Sequence, residues 1–295
     1  MPWHRMLDLL QKKLKLWQPD NLKRKGLNQM FEVIGERINT SRKKVQDAVA
    51  DRDAEYIIDD VKKQQDAGAN FIDVNGGARI GHEREDMKWL LNTIGPIASV
   101  PLCLDSPDPA ILEMAYGMVE QTPMINSISL EKDRFDTMMP FLKGKDCKII
   151  ALCMDDAGMP ASSDDIIARA QKLINELESI GMKQNDIYID PLVQPISTDS
   201  TKGTMVLDAV RQIKKQNQQV HITGGLSNIS YGLPERKIIN RTFVTLMMDA
   251  GMDSAIIDPL DSKIMATIRT ADMLLGSDNF CMEYLKGVRS GMIKS

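Results

Sequence analysis

The chain has 295 residues, of which 43% are hydrophobic and 26% are charged, and its formal net charge is −4. This balance is typical of a folded globular protein and argues against a disordered chain, a membrane-embedded chain or a broad basic surface for nucleic acid. The length fits one large domain, since α/β barrels commonly occupy about 250 residues.

The first segment, residues 1–28, precedes every strand-like run and predicts a short helical extension. Its apolar side chains recur at roughly helical spacing, at Trp3, Met6, Leu7, Leu10, Leu14 and Trp17. Because Lys12, Lys13 and Lys15 interrupt each apolar run, the segment predicts neither a signal peptide nor a membrane span. We expect it to pack on its own domain or on a partner subunit, and we assign residues 29–295 to one barrel domain.

Short apolar runs rich in β-branched residues recur along the rest of the chain and predict strands. They span residues 31–37, 71–75, 101–105, 124–130, 147–154, 186–190, 220–225 and 254–259. The gaps between them leave room for one helix and two loops each, as in a βαβ repeat.

Amphipathic stretches fill these gaps. In residues 162–181, Ser162 or Ser163 can cap a helix whose end is marked by Gly181. Comparable helices are predicted over residues 53–67, 82–94, 109–120, 207–216 and 235–250. This alternation predicts an α/β fold, a single-domain (β/α)8 or TIM barrel. A doubly wound open sheet is the alternative, but no GxGxxG motif follows the first strand.

The cysteines are scattered without a CxxC pair, at Cys103, Cys147, Cys153 and Cys281. Three of them fall in apolar strand-like runs, so we expect buried thiols in a reducing cytoplasm. The histidines show no ligand spacing, and no zinc site is predicted.

Polar side chains end or follow seven of the predicted strands, and Asn126 lies on the fourth, so in a barrel they would surround the one mouth where catalytic groups collect. They are Glu36, Asn39, Asp73, Asn75, Asp105, Asp108, Asn126, Asp155, Asp156, Asp190, Asn228 and Asp258. Any one of them is weak evidence, because Asp and Asn often cap the helix after a βα loop. As a set, carboxylates and amides suit a flat, nitrogen-rich heterocycle such as a pterin or a purine. A divalent metal held by several of the aspartates is the competing account.

Seven short motifs occur in order along the chain: IGERIN (34–39), FIDVNGG (71–77), LDSPDP (104–109), INSISLE (125–131), IDPLVQP (189–195), GGLSNIS (224–230) and INRTF (239–243). Together they resemble the methyltetrahydrofolate:corrinoid protein methyltransferases, which are pterin-binding TIM barrels, and the folate domain of cobalamin-dependent methionine synthase. The resemblance covers residue 31 to the end. It implies a homodimer that moves a methyl group between nitrogen 5 of tetrahydrofolate and the cobalt of a separate, transiently bound corrinoid protein.

The resemblance also implies site residues. Those expected to bind the pterin are Asp73, Asp108, Asn126, Asp190, Gly225, Ser227, Asn228 and Arg236. Asn228 matches the asparagine that contacts nitrogen 5, and we expect it to be catalytic; helix capping or turn stabilisation is the alternative role. Asp108 stands where family members usually carry Asn, which changes the hydrogen bonds available there. Arg236 follows the turn in a role that the motif does not define, and it could equally be a solvated surface charge.

Two other functions remain open from the sequence. Dihydropteroate synthases share the barrel and the pterin pocket, although that family typically has a lysine on the seventh-strand turn. A non-catalytic folate-binding protein would bind folate without turnover. We expect no resident metal, no nucleic acid, no membrane attachment and a cytoplasmic location.

Overall fold

A computed structural model describes residues 30–294, and the extension expected over residues 1–28 lies outside them. The strands are β1 (Glu32–Asn39), β2 (Phe71–Asn75), β3 (Leu102–Asp105), β4 (Met124–Leu130), β5 (Lys148–Asp155), β6 (Ile187–Asp190), β7 (His221–Ile222) and β8 (Ser254–Ile257). The helices are α1 (Lys43–Asp51), α2 (Ala54–Asp66), α3 (Glu83–Ile94), α4 (Pro109–Tyr116), α5 (Lys132–Leu142), α6 (Ser163–Ser179), α7 (Lys202–Gln216), α8 (Arg236–Ala250), α9 (Ser262–Leu275) and α10 (Met282–Arg289).

All strand pairs are parallel, and the sheet runs in the order β7-β6-β5-β4-β3-β2-β1-β8. Its two ends meet, because Ile256 N donates to Gly224 O at 3.2 Å and Gly225 bridges Ile256 in parallel. The predicted (β/α)8 barrel is confirmed, and the open doubly wound sheet is excluded.

Element boundaries differ most from the predicted ones at the seventh strand and at two helices. The seventh strand ends at Ile222 rather than at residue 225, because Gly224 adopts φ 150° and leads into a 3-10 turn over Leu226–Ser230. Helix α7 begins at Lys202, one turn earlier than the apolar pattern indicates. Helix α4 stops at Tyr116, before Gly117.

The barrel interior is built in layers, since residues two apart along a strand point to the same side. The lower layer is apolar and consists of Ile34, Phe71, Cys103, Met124, Ile150 and Tyr188. Two residues further along the same strands stand Glu36, Asp73, Asp105, Asn126, Leu152 and Asp190. The polar ring therefore sits directly above an apolar floor, at the carboxyl ends of the strands.

A second, larger apolar core lies between the strands and the surrounding helices, and it contains Val33, Val74, Leu104, Ile149 and Ile189. These side chains alternate with the inward ones, so both faces of the sheet are buried. No helix within residues 30–294 is long and apolar enough to cross a membrane.

The cysteines are free thiols, with Cys103, Cys147 and Cys153 buried as expected. The expectation was wrong for Cys281, which is exposed. Cys281 belongs to the 3-10 turn that precedes α10, on the surface of the barrel.

Candidate active site

The carboxyl ends of the strands surround a cavity of about 300 Å³. It is lined by Glu36, Asn39, Ser41, Arg42, Asp73, Asp105, Asn126 and Ile256. A smaller cavity of about 90 Å³ lies under the seventh-strand turn, where Ser227 contributes to its wall, and shares Glu36 and Ile256 with the first. The larger volume is at the lower end of the range for small-molecule sites, which fits one flat heterocycle.

Asp73 is the most deeply buried acid of the cavity, at 2% exposure. Burial raises its pKa well above the ordinary value, the Asp105 charge raises it further, and hydrogen bonds with Cys103 and Asn126 oppose these effects. Oδ1 of Asp73 is buried and has no hydrogen-bond partner within residues 30–294. Buried polar atoms are normally paired. The unpaired oxygen therefore fits a ligand that presents an N–H group to it.

Asp105 lies opposite Asn75 in the register between β2 and β3. Asn75 Nδ2 donates a 2.8 Å hydrogen bond to Asp105 Oδ2. Burial raises the pKa of Asp105, whereas the bond from Asn75 and the charge of Arg134 lower it. Two acids from adjacent strands thus share one cavity, and each makes ionisation of the other less favourable.

Asp190 ends β6 and is buried. Its Oδ1 accepts a 2.8 Å hydrogen bond from the backbone N–H of Leu192, while burial raises the pKa of Asp190 to about 6. The neighbouring position must be glycine, because a Cβ on Gly224 would lie 2.8 Å from Asp190 Oδ1. Asp190 consequently reaches the seventh-strand turn.

Asn228 lies on that turn, inside the 3-10 helix Leu226–Ser230, and its side chain is exposed at the mouth. Its backbone N–H donates to Gly225 O at 3.3 Å, and its Nδ2 lies 3.4 Å from the Cβ position of Gly225. No residue of the described chain receives a hydrogen bond from the Asn228 amide. The carboxamide is therefore available to a ligand and does not act as a helix cap.

Arg236 clamps the same turn and is not merely a solvated charge. Its Nε donates to Ser230 Oγ at 3.0 Å, and its Nη2 donates to Ser227 O at 2.7 Å. These two contacts hold both ends of the segment that carries Asn228.

Asp108 lies outside both cavities. It is exposed, and its Oδ1 accepts from Ala110 N at 2.8 Å as the N-cap of α4. The acid of the LDSPDP motif that lines the larger cavity is Asp105. The signal for Asp105 was available in the sequence, because it stands two residues after Cys103, whose side chain faces the barrel interior.

Glu36 was likewise absent from the expected ligand set. It lines both cavities, and burial raises its pKa, with a further rise from Asp258 and opposing effects of Arg42 and Arg37. Asp258 in turn receives a 2.8 Å hydrogen bond from Arg37 Nη1. The i, i+2 spacing from Ile34 places Glu36 in the polar ring.

The expected site residues therefore fall into three groups. Asp73 and Asn126 line the larger cavity. Asp190, Gly225, Ser227, Asn228 and Arg236 occupy the adjoining end of β6 and the seventh-strand turn. Asp108 caps a helix. Within residues 30–294, no group of three or more His, Cys, Asp or Glu side chains is arranged to hold a metal ion.

A closed parallel barrel with a ring of carboxyls and amides around one mouth, two of which (Asp73 and Asp190) are buried, defines a class of protein, the TIM barrels whose site lies at the carboxyl ends of the strands. The family model described as pterin binding enzyme matches residues 35–258. The chain belongs to this family.

Relatives of known name match the chain over most of its length. It is 35% identical over 263 residues to a methylcorrinoid:tetrahydrofolate methyltransferase of Eubacterium limosum, a match that covers 88% of this chain and 97% of the relative. It is 31% identical over 245 residues to methionine synthase of Mycobacterium leprae, covering 76% of this chain but 20% of that enzyme.

Among solved structures, the chain is similar to dihydropteroate synthase of Coxiella burnetii in complex with pteroic acid. The TM-score is 0.66 at 15% sequence identity, over 84% of this chain and 94% of the other. A dihydropteroate synthase of Clostridium difficile, recorded in the presence of pteroic acid, gives a TM-score of 0.65 at 18% identity, over 84% of this chain and 98% of the other. At such identities the likeness shows the fold alone.

Proposed function

We propose that the chain transfers a methyl group between nitrogen 5 of tetrahydrofolate and the cobalt of a corrinoid held by a separate protein. Membership of the pterin-binding family and the 35% identity to the Eubacterium limosum methyltransferase support this activity. The geometry of the site also supports this activity in this chain. Asp73 and Asp105 line the larger cavity, and the buried Asp190 adjoins the turn that presents the free carboxamide of Asn228.

The acids would hold the pterin. Ring N–H and exocyclic amine groups of a pterin donate hydrogen bonds, and the unpaired Oδ1 of Asp73 accepts one without losing an existing partner. Asn126 can both donate and accept, as a mixed edge of the heterocycle requires. With the pterin so oriented, the turn carrying Asn228 provides the contact to nitrogen 5.

The corrinoid supplies cobalt(I) as the methyl acceptor or methylcobalt as the donor. When the bond from nitrogen 5 to the methyl carbon breaks, the electron pair stays on nitrogen, which must then receive a hydrogen bond or a proton. The amide N–H of Asn228 donates to that nitrogen. The proton reaches nitrogen 5 through water and the neighbouring carboxyl groups, among them Glu36, whose pKa is raised by burial.

The test mixes the purified protein with methyltetrahydrofolate and free cob(I)alamin without oxygen and follows the change from the cobalt(I) spectrum to that of methylcobalamin. Protein-dependent conversion is expected. Folate binding without conversion, with free cobalamin and with a corrinoid protein alike, would overturn the proposal in favour of a non-catalytic folate-binding protein. Formation of dihydropteroate, with release of diphosphate, from p-aminobenzoate and a hydroxymethyl-dihydropterin diphosphate would instead establish the synthase reaction.

Three further expectations belong to the same proposal. A homodimer is supported by exposed apolar side chains at the far end of the barrel, among them Leu274, Phe280 and Val288. Sedimentation measurements test this oligomeric state.

A cytoplasmic location is supported by the unpaired thiols within residues 30–294. The division into an extension over residues 1–28 and a domain over residues 29–295 is tested by truncation at residue 28 with activity as the readout.

A further inference from the structure

Exposed apolar side chains occur on three separate loops at the carboxyl ends of the strands. Ile80 after β2 is 97% exposed, Met159 after β5 is 46% exposed, and Tyr231 after β7 is 65% exposed. Around the closed strand order, β2 and β5 are three strands apart, β5 and β7 two, and β7 and β2 three. The three side chains are thus distributed nearly evenly around the mouth.

The loop that carries Ile80 is firmly anchored. Ala78 N donates to Thr40 Oγ1 at 3.0 Å. Arg79 Nη1 donates to the fully buried carboxylate of Asp86 at 2.9 Å, which also pairs with Arg52 at 3.0 Å. A rigid loop that points an isoleucine into water loses little conformational entropy when a partner covers it.

The loops that carry Met159 and Tyr231 are also anchored, in their case by side chains that donate hydrogen bonds to backbone carbonyls. Arg169 Nη1 donates to Gly158 O at 2.6 Å, and Gln194 Nε2 donates to Pro160 O at 2.8 Å, so Met159 is fixed on both sides. Ser197 Oγ donates to Tyr231 O at 2.7 Å. Ordered apolar and aromatic anchors of this kind dominate protein interfaces.

We propose that Ile80, Met159 and Tyr231 form the docking surface for the corrinoid-carrying protein, which sits centrally over the mouth and touches all three loops. This inference rests on the proposed function, because the corrinoid must face nitrogen 5 above the cavity that these loops surround. A corrinoid alone would need only the cavity, whereas apolar side chains on three ordered loops around it offer contacts that a protein surface can cover.

The test compares two methyl acceptors for each variant: free cob(I)alamin and the organism's own corrinoid protein loaded with cob(I)alamin. Ile80→Glu and Met159→Glu are expected to lower kcat/KM at least about tenfold with the protein-bound corrinoid, and by less than about twofold with free cobalamin. Leu246→Glu, an exposed leucine near the end of α8 that points away from the mouth, serves as the matched control and should change neither value.

Equal losses with both acceptors, or no loss with the protein-bound one, would overturn the docking surface. If the wild-type protein transfers no methyl group to either acceptor, both the proposed function and the proposed docking partner are wrong. A photoreactive amino acid placed at position 80 gives an independent readout. It should cross-link to the corrinoid protein, whereas the same group at position 246 should not. Cross-linking from position 80 to a second copy of this chain would overturn the proposal.

Discussion

Asn75 Nδ2 donates a 2.8 Å hydrogen bond to Asp105 Oδ2 across a pair of residues that stand opposite each other in β2 and β3. This bond fixes the Asp105 carboxylate and leaves its Oδ1 without a hydrogen bond from any described residue. The acid is held in one orientation before a ligand arrives. Such preorganisation lowers the entropic cost of binding.

Asp105→Ala should therefore weaken binding of methyltetrahydrofolate by about 10- to 100-fold, the loss expected for one or two hydrogen bonds to a charged group. Isothermal titration calorimetry measures the effect. Asp108→Ala is the matched control from the same motif. It should leave the affinity within about twofold and lower the free energy of unfolding by about 1 kcal/mol through the lost N-cap. Equal affinity losses in the two variants would contradict the assignment of Asp105.

Asn228→Ala should lower the rate of methyl transfer by about 100-fold, because a hydrogen bond that strengthens as charge develops contributes about 2–4 kcal/mol. Folate affinity should change less than about threefold, since the acids that bind the pterin are untouched. Stopped-flow spectra of the cobalt measure the rate, and Asn175→Ala, on the exposed face of α6, is the control. A rate within about threefold of wild type would remove Asn228 from the mechanism.

Gly224→Ala should destabilise the fold by about 3 kcal/mol, since its Cβ would press on the Asp190 carboxylate and the residue would keep an unfavourable φ. Gly144→Ala separates the two effects, because Gly144 has φ 76° but no atom within 4 Å of the Cβ position. It should lose only about 1 kcal/mol. Urea unfolding gives both values. Similar losses of unfolding free energy in the two variants would show that the close approach of Gly224 to Asp190 does not contribute to stability.

Asp190 should make stability fall as the pH rises from about 4 to about 6. Its folded-state pKa of about 6 exceeds the ordinary 3.8, so in that interval the folded chain keeps a proton that the unfolded chain releases. Asp190→Asn should remove this contribution and be more stable than wild type at pH 7 by roughly 1–3 kcal/mol, with no advantage at pH 4. Asp272, whose pKa burial also raises to about 6, preserves part of the wild-type slope.

Urea midpoints at pH 4, 5, 6 and 7 test this, with the exposed Asp164→Asn as the control. An Asp190→Asn protein that loses stability with rising pH as steeply as wild type would contradict the burial argument. The variant should also bind folate more weakly, because an amide at position 190 offers one acceptor oxygen where the carboxylate offers two.

Much of the fold follows from the sequence because the period of the apolar residues changes between strand and helix. The positions of Asp73, Asn126 and Asp190 follow from the same alternation, since each stands two residues beyond a side chain of the apolar floor. The same two-residue spacing, from Ile34 and from Cys103, also predicts that Glu36 and Asp105 face the cavity. It could equally have excluded Asp108, because an Asp directly before a Pro is typical of a helix N-cap followed by N1.

Other features depend on approaches between distant segments, which no local pattern encodes. The closeness of Gly224 to Asp190 and the clamp from Arg236 onto Ser227 and Ser230 arise only when β6, β7 and α8 are assembled. The shortening of β7 also involves this approach, because the strand ends just before Gly224, which lies against the carboxylate of Asp190.

Closure of the barrel through Gly224, Gly225 and Ile256 has a consequence for its breathing motions. Between β7 and β8 the barrel is joined by few backbone bonds, whereas β4 and β5 pair over six register positions. Local opening should begin where the fewest bonds must break. Amide hydrogens around residues 222–230 are therefore expected to exchange with solvent before those of the β4–β5 pair. The turn that carries Asn228 directly follows β7, at the contact between β7 and β8 where the barrel opens most easily. The turn can therefore adjust to a ligand without disturbing the pairing of β4 with β5.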